Sequence, residues 1–324
     1  MKLIRAIAFA SFSLLALSAA SAQDKFPSKP IKLVVGFPPG GGADVVARLV
    51  GTHLGEALGQ PFVIENKGGA SGFIAGSAVA QSAPDGYTLL LGHVNALAIA
   101  PPASSKPPYD ALKDFTPIGY IGFAPNVLVV NPKVTPVKTL KELTDLARAK
   151  PGELTFASPG VGSANQIAGV MFMNATRINM THVPYRGSGP AINDLLGGQV
   201  SMNFDAMTSV TGYIKEGKMQ PLAVTTRERN AQLPDVPTMQ ELGVKDFDVS
   251  IWYTLMGPAG LPKATTALLN DKLNEVLRKP ELRDRLLSLG VTSKAMSPEQ
   301  VTEMLRTDIA RYATVVKQNH IRMD

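Results

Sequence analysis

The chain has 324 residues, no cysteine, and 32 lysines and arginines against 26 aspartates and glutamates, for a net charge of +6. The absence of cysteine excludes disulfides, thiolate metal sites and a lipidated cysteine at a cleavage site. Its basic residues are scattered, with Lys138, Lys141, Arg148 and Lys150 sitting among acids, and form no stripe of the kind nucleic acid binding needs. The excess suits solubility and a mild attraction for anions.

The N-terminus reads as an export signal. Lys2 and Arg5 give a positive start, residues 6–17 are an uncharged apolar run, and Ala20-Ser21-Ala22 is a small-residue cleavage site. The run is short for a membrane span. Cleavage after residue 22 would release into the periplasm a protein that begins at Gln23 and is long enough for two domains.

Short β-branched runs then alternate with amphipathic helical stretches. Residues 31–35 predict a buried strand. After a Pro/Gly turn, residues 44–58 predict a helix with Val46, Val50, Leu54 and Leu58 on its apolar face. Residues 62–64 predict a second strand, Gly68 to Gly72 opens a helix running to Gln81, and 87–91 predict a third strand after the Pro84-Asp85-Gly86 turn. This alternation implies a parallel sheet with right-handed crossovers. Residues 98–117 read as a long connection, and 118–130 as a long apolar stretch broken by Pro125.

A second α/β series follows: helix 140–149, strand 154–156, helix 163–175, strand 180–183, helix 190–196, and strands 200–204 and 219–224. Residues 249–256 are again extended. The chain closes with helices over 264–278, 281–289 and 298–317, the last with Ser297 as N-cap and Pro298 just inside its start. The two extended segments bracket the second series, which the economical topology inserts into the first. One lobe then comprises residues 23–123 and 255–324 and the other 124–254, with two strands crossing between them as a hinge.

The leading local motif is Gly36-Phe37-Pro38-Pro39-Gly40-Gly41-Gly42-Ala43-Asp44, where a strand runs through glycines into a helix. Glycine lets backbone approach a ligand, and a helix N-terminus presents unpaired N–H groups to an anion. Ser158-Pro159-Gly160-Val161-Gly162-Ser163 repeats the layout in the second lobe, and Gly68 to Gly72 (with Ser71) and Arg186-Gly187-Ser188-Gly189-Pro190 are further cases. All four are placed at the carboxyl ends of strands, where open α/β sheets bind ligands. No nucleotide fingerprint is present: the third glycine of G-x-G-x-x-G is replaced by Val45 in one loop and Asn165 in the other.

Catalytic and metal signatures are missing as well, and no cofactor is implied. His53 and His320 read as surface residues, and His182, within a strand, as a packing residue. His93 and Asn95 follow a strand end, where they either line the cleft or pack. Asp44 and Arg48 are spaced as a structural i, i+4 pair. Asp205 follows a strand and either points to the cleft rim or caps a helix. Phe37, Trp252 and Tyr253 either stack on a ligand or pack between lobes. A carboxylate-processing enzyme would need a base with an orienting partner, for which only His93 and Asp205 offer themselves.

Together these motifs resemble the solute-binding receptors of tripartite tricarboxylate transporters, the Bug family. The resemblance rests on Pro38-Pro39-Gly40-Gly41 with Asp44, Ala47 and Arg48; on Glu65-Asn66-Lys67; and on Pro84-Asp85-Gly86-Tyr87-Thr88-Leu89-Leu90. It continues through Ser158 to Ser163, His182-Val183-Pro184-Tyr185-Arg186-Gly187, Asp194-Leu195-Leu196-Gly197-Gly198-Gln199-Val200 and Leu233-Pro234-Asp235-Val236-Pro237-Thr238.

The resemblance implies a two-lobed periplasmic binding protein of the venus-flytrap kind, each lobe a mostly parallel sheet flanked by helices. It implies a monomer that is not an enzyme and that passes a small carboxylate to membrane components of a transporter, or else presents it to a membrane sensor. The ligand carboxylate would be held by the main chain of Pro39, Gly40, Gly41, Gly42 and Ala43 and of Ser158, Gly160, Gly162 and Ser163, with Asn165, His93, Asn95 and Asp205 as selectivity positions. A dicarboxylate, an amino acid and an aromatic or pyridine carboxylate all remain open. The sequence departs from the family at Gly68-Gly69-Ala70-Ser71-Gly72, usually Pro-Gly-Ala-Gly-Gly, and at Gln166-Ile167-Ala168, usually His-Leu-Ala.

Overall fold

The computed structural model describes residues 26–323, so the expected signal peptide lies outside the described residues. Strand β1 (Ile31–Val35) leads into helix α1 (Gly42–Leu58), β2 (Phe62–Asn66), α2 (Phe73–Ala80) and β3 (Thr88–His93). The three strands pair in parallel in the order β2-β1-β3. In α1, Val46, Ala47, Val50 and Leu54 are buried at helical spacing, and Gly59, at φ 72°, ends the helix in the left-handed conformation. The helix also packs on a later helix, so its second face is covered too. His53 on this helix is only 8% exposed, which corrects its reading as a surface residue.

The connection expected over 98–117 is partly helical. A π-helical turn at Asn95–Ile99 runs into α3 (Ala100–Ala103), whose Pro101 and Pro102 occupy first-turn positions that need no N–H. The apolar residues from Val94 to Ala100 are buried, and this burial outweighs the loop-like composition.

The apolar stretch that follows is a single 16-residue strand, β4 (Phe115–Val130), continuous through Pro125. The second series then runs α4 (Leu140–Ala149), β5 (Thr155–Ser158), α5 (Ala164–Thr176), β6 (Thr181–Pro184), α6 (Ser188–Leu196), β7 (Met202–Ala206), α7 (Met207–Lys215) and β8 (Gln220–Val224). The chain returns through β9 (Ser250–Pro258) and ends with α8 (Lys263–Arg278), α9 (Pro280–Ser288), the short β10 (Thr292–Ser293) and α10 (Pro298–Gln318). Ser297 caps α10, as the sequence predicts, and Gln300 completes a reciprocal capping box with it. Helix α7 answers to no predicted element.

The first half of β4 pairs antiparallel with β9, which pairs in turn with β3. Its second half pairs with β7 and β8, and β7 continues in parallel to β5 and β6. The change of partner falls between Pro125, opposite Ser250, and Asn126, opposite Ala206. Proline has no N–H to give a ladder, so it suits the point where the ladder is handed over. Thr225 ties the two crossing segments together: its hydroxyl reaches the Asn126 carbonyl at 3.1 Å and that of Val249 at 2.5 Å. Two lobes therefore share one continuous sheet path. The carboxyl ends of β1, β3 and β7 and the entry of β9 meet where they face each other.

Candidate functional site

A cavity of about 340 Å³ lies between the lobes. One wall is residues 37–43 with His93 and Asn95; the other is Pro159, Asn165, residues from the start of α6, and Ala206, Thr208, Ser209 and Tyr213; β9 adds Ile251 and Tyr253. No acidic, lysine or arginine side chain lines it.

Three helices begin at this cavity: α1 after Gly41, α6 after Gly187 and α7 after Ala206, and none has a side-chain cap. Glycine and alanine carry no polar side chain that could cap. The first-turn N–H groups, which have no partner inside a helix, are left for a ligand. Gly42, Ala43, Gly189, Thr208 and Ser209, from these first turns, all line the cavity. One such dipole contact favours an anion by about 0.3–1 kcal/mol, and by up to about 2 where partly buried.

The first loop is held in shape by Asp44. Its Oδ2 accepts the Gly40 N–H at 2.9 Å and Arg48 Nε at 3.0 Å, and its Oδ1 accepts Asn66 Nδ2 at 2.9 Å. The same Asn66 amide donates to the Phe37 carbonyl at 3.0 Å. Burial raises the Asp44 pKa, but the donors from Arg48, Gly40 and Asn66 outweigh it and bring it below the ordinary value. Asp44 is thus an anchored carboxylate with its charge balanced by Arg48.

His93 sits between Phe37 and Tyr253, with ring centroids 4.4 and 5.4 Å away. Burial depresses its pKa to about 3, so the ring is neutral. Its Nδ1 accepts the Asn95 N–H at 3.1 Å, which leaves the proton on Nε2 as a donor. Asn95 reaches across the lobes, its Oδ1 accepting the Ala164 N–H at 2.9 Å. Asn165 donates from Nδ2 to the Phe204 carbonyl at 2.6 Å, whereas its Oδ1 has no partner although the residue is only 1% exposed.

Other predicted site residues lie elsewhere. Asp205 is fully buried and off the cavity wall: its carboxylate accepts Ser188 Oγ at 2.8 Å, the Ala206 N–H at 2.7 Å and Asn203 Nδ2 at 2.9 Å. Burial pushes its pKa up to about 6 against these three donors. It therefore acts from beneath, by holding Ser188, which does line the cavity.

Ser158, Gly160, Gly162, Ser163 and Ser71 do not line this cavity either. Their loop is already satisfied: the Gly160 N–H goes to Ser158 Oγ, the Gly162 N–H to Gln166 Oε1, and Ser163 caps α5 by accepting from Gln166 N. Ser71 Oγ donates to the Val161 carbonyl at 2.5 Å across the lobes. Ser71 and Gly160 border a neighbouring space of about 730 Å³, which shares Phe37, Pro38, Pro39 and Pro159 with the first.

His182 is half-buried, stacked on Phe156 at 4.8 Å and bonded to Ser158 at 2.7 Å, and His320 is exposed. Trp252 turns away from the cavity and donates to Asp308 at 2.7 Å, whereas its neighbour Tyr253 lines it. Among the described residues no group of three or more His, Cys, Asp or Glu could hold a metal ion.

Sequence reasoning did not assign Thr208, Ser209, Tyr213 or Ile251. Three of these come with α7, whose signal is present: Met207, Val210, Thr211 and Ile214 recur at helical spacing, and the first three are buried.

Two lobes sharing a sheet, with helix starts converging on a cavity between them, define a periplasmic binding protein. The family described as tripartite tricarboxylate transporter family receptor matches residues 46–321, and the chain belongs to it. Protein BugT of Bordetella pertussis is 37% identical over 308 residues, covering 95% of this chain and 94% of that protein. An adipate-bound protein of R. palustris superposes with a TM-score of 0.89 at 34% identity, covering 92% of this chain and 99% of its own. MatC from Rhodopseudomonas palustris, with bound malate, has a TM-score of 0.84 at 33% identity, covering 90% and 100%.

Proposed function

We propose that the chain is a monomeric periplasmic receptor that captures a small carboxylate in the 340 Å³ cavity. It releases the ligand, unchanged, to the membrane components of a tripartite tricarboxylate-type transporter. The carrying observation is that three uncapped helix starts face one cavity whose wall holds no charged side chain. Such a wall favours an anion through N–H donors and repels none. The carboxylates held by the two R. palustris relatives support the same reading.

The moving bodies are residues 23–123 with 255–324, and residues 124–254. Bonds such as Asn95 to Ala164 and Ser71 to Val161 span them and form only when they are together. A ligand that touches both walls binds the closed arrangement better and shifts the population towards it. Residues 37 and 39–43, His93, Asn95 and Asn165 make the contacts in this reading, with Asp205 supporting from behind.

The test is thermal unfolding of the mature protein, stripped of ligand by unfolding and refolding, against a panel of mono- and dicarboxylates. A ligand at a hundred times its Kd stabilises by about 2.7 kcal/mol, a clear rise in Tm. A panel that leaves Tm unmoved with correctly refolded protein would overturn the carboxylate reading. Conversion of the ligand on long incubation would overturn its non-catalytic part.

A further inference from the structure

Helix α10 belongs to the first lobe, with Val301, Leu305, Tyr312 and Val316 buried, but the residues after it reach the second. His320 takes the left-handed conformation at φ 50°, and the Ile321 N–H returns to the Val316 carbonyl at 3.1 Å, which turns the chain off the helix axis. Met323 then donates its N–H to the Ala103 carbonyl of the first lobe at 3.0 Å. Its side chain lies against the second lobe: a β-carbon placed on Gly162 would be 2.7 Å from Met323 Sδ and 3.2 Å from its Cγ. Glycine at 162 thus leaves the seat that the thioether fills. Four residues earlier, Asn319 Oδ1 accepts Asn174 Nδ2 from α5, also in the second lobe. Met323 is a wall of the neighbouring 730 Å³ space as well, beside Ser71, Gly160 and Val161.

The segment itself is lightly held. Ile321 is buried, His320 and Arg322 are exposed, and a backbone bond to Ala103 secures Met323. Such a segment can lift away without unfolding the lobe that carries it.

We propose that residues 319–323 form a strap that seats across the lobe boundary when the lobes close and holds them together. The strap does not line the 340 Å³ cavity, so it acts on closure and not on the choice of ligand. Contacts made only in the closed arrangement raise its population, and the apparent affinity for any ligand of that arrangement rises with it.

The experiment counts closures in the mature, ligand-stripped protein. Gly42→Cys with Thr208→Cys puts one thiol on each lobe, at β-carbons 2.8 Å apart when the lobes are closed, in a chain with no other cysteine. Dibromobimane links two thiols and fluoresces once it has done so, and it spans the slight parting that the added side chains impose. Its cross-linking rate, normalised to the labelling of each single-cysteine variant, measures how often the lobes meet.

Ending the chain at Ile321 should slow cross-linking about fivefold or more, and Asn174→Ala, on the other lobe, about twofold. Midpoints of unfolding in urea should not move, whereas residues that served packing alone would lower the midpoint and leave the rate unchanged. Should the shortened chain fail to fold, Met323→Ala and Asn174→Ala carry the same comparison. Equal rates with and without the strap overturn this inference and leave the carboxylate reading intact. Cross-linking that never occurs, although both thiols label singly, overturns lobe closure and the strap with it.

Discussion

A β-carbon placed on Gly42 would lie 1.9 Å from the Thr208 hydroxyl oxygen and 2.8 Å from the Thr208 β-carbon. Gly42 is the first residue of α1 in one lobe, and Thr208 is in the first turn of α7 in the other. The two helix starts thus approach so closely that a single methyl group would separate them.

Gly42→Ala is therefore expected to act on closure and not on the fold. Gly42 has no left-handed φ and stands at the first position of α1, where alanine is accommodated as well as glycine, so Tm should hold. Ligand affinity should fall about tenfold or more, and scattering of the ligand-mixed protein should remain more expanded than that of wild type. Adding Thr208→Gly should restore part of the loss, a coupling that a double-mutant cycle measures. A Gly42→Ala protein that binds like wild type would show that this approach plays no part in capture.

Asp44→Ala should be costly in both stability and binding. It leaves the Gly40 N–H, Asn66 Nδ2 and Arg48 without their shared acceptor. Unfolding in urea should report a loss of about 1–3 kcal/mol with an unchanged m-value. Affinity should fall as well, because the loop it holds carries Gly42 and Ala43. Asp44→Asn should recover stability in part but not the pairing with Arg48.

The buried Asp205 predicts a pH signature opposite in sign to that of a salt-bridged carboxylate. Its pKa is raised by burial from 3.8 to about 6, so the folded state holds the proton more tightly than the unfolded one. Its stabilising contribution is fullest below pH 3.8 and is lost as pH rises through about 6. Relative to Asp205→Asn, the wild type should gain about 2 kcal/mol as pH falls from 7 to 4. Denaturant midpoints of both proteins at four pH values measure this, and a constant difference between them would show that Asp205 is not desolvated.

Much of the fold was legible because its causes are local. The spacing of Val46, Val50 and Leu54 announces α1, and Ser297 with Pro298 announces the start of α10. The glycines of residues 40–42 mark a strand running into an open helix start. That reading needed no knowledge of the other lobe.

The second half of the site was not legible in the same way. Residues 158–163 and 187–190 look alike as Gly-rich turns ahead of helices, yet the first has spent its donors on Ser158 and Gln166, and Ala164 just after it donates to Asn95, 69 residues away. Likewise, strand alternation says that Trp252 and Tyr253 face opposite ways, but only the placement of β9 between β3 and β4 says which of them meets the cavity. Helix α7 is short, and its opening Thr208 and Ser209 read as loop until β4 and β7 give its apolar side something to pack on. Periodicity, glycine and capping residues are properties of neighbours along the chain. Whether an N–H is free to take a ligand depends on which distant atoms arrive beside it.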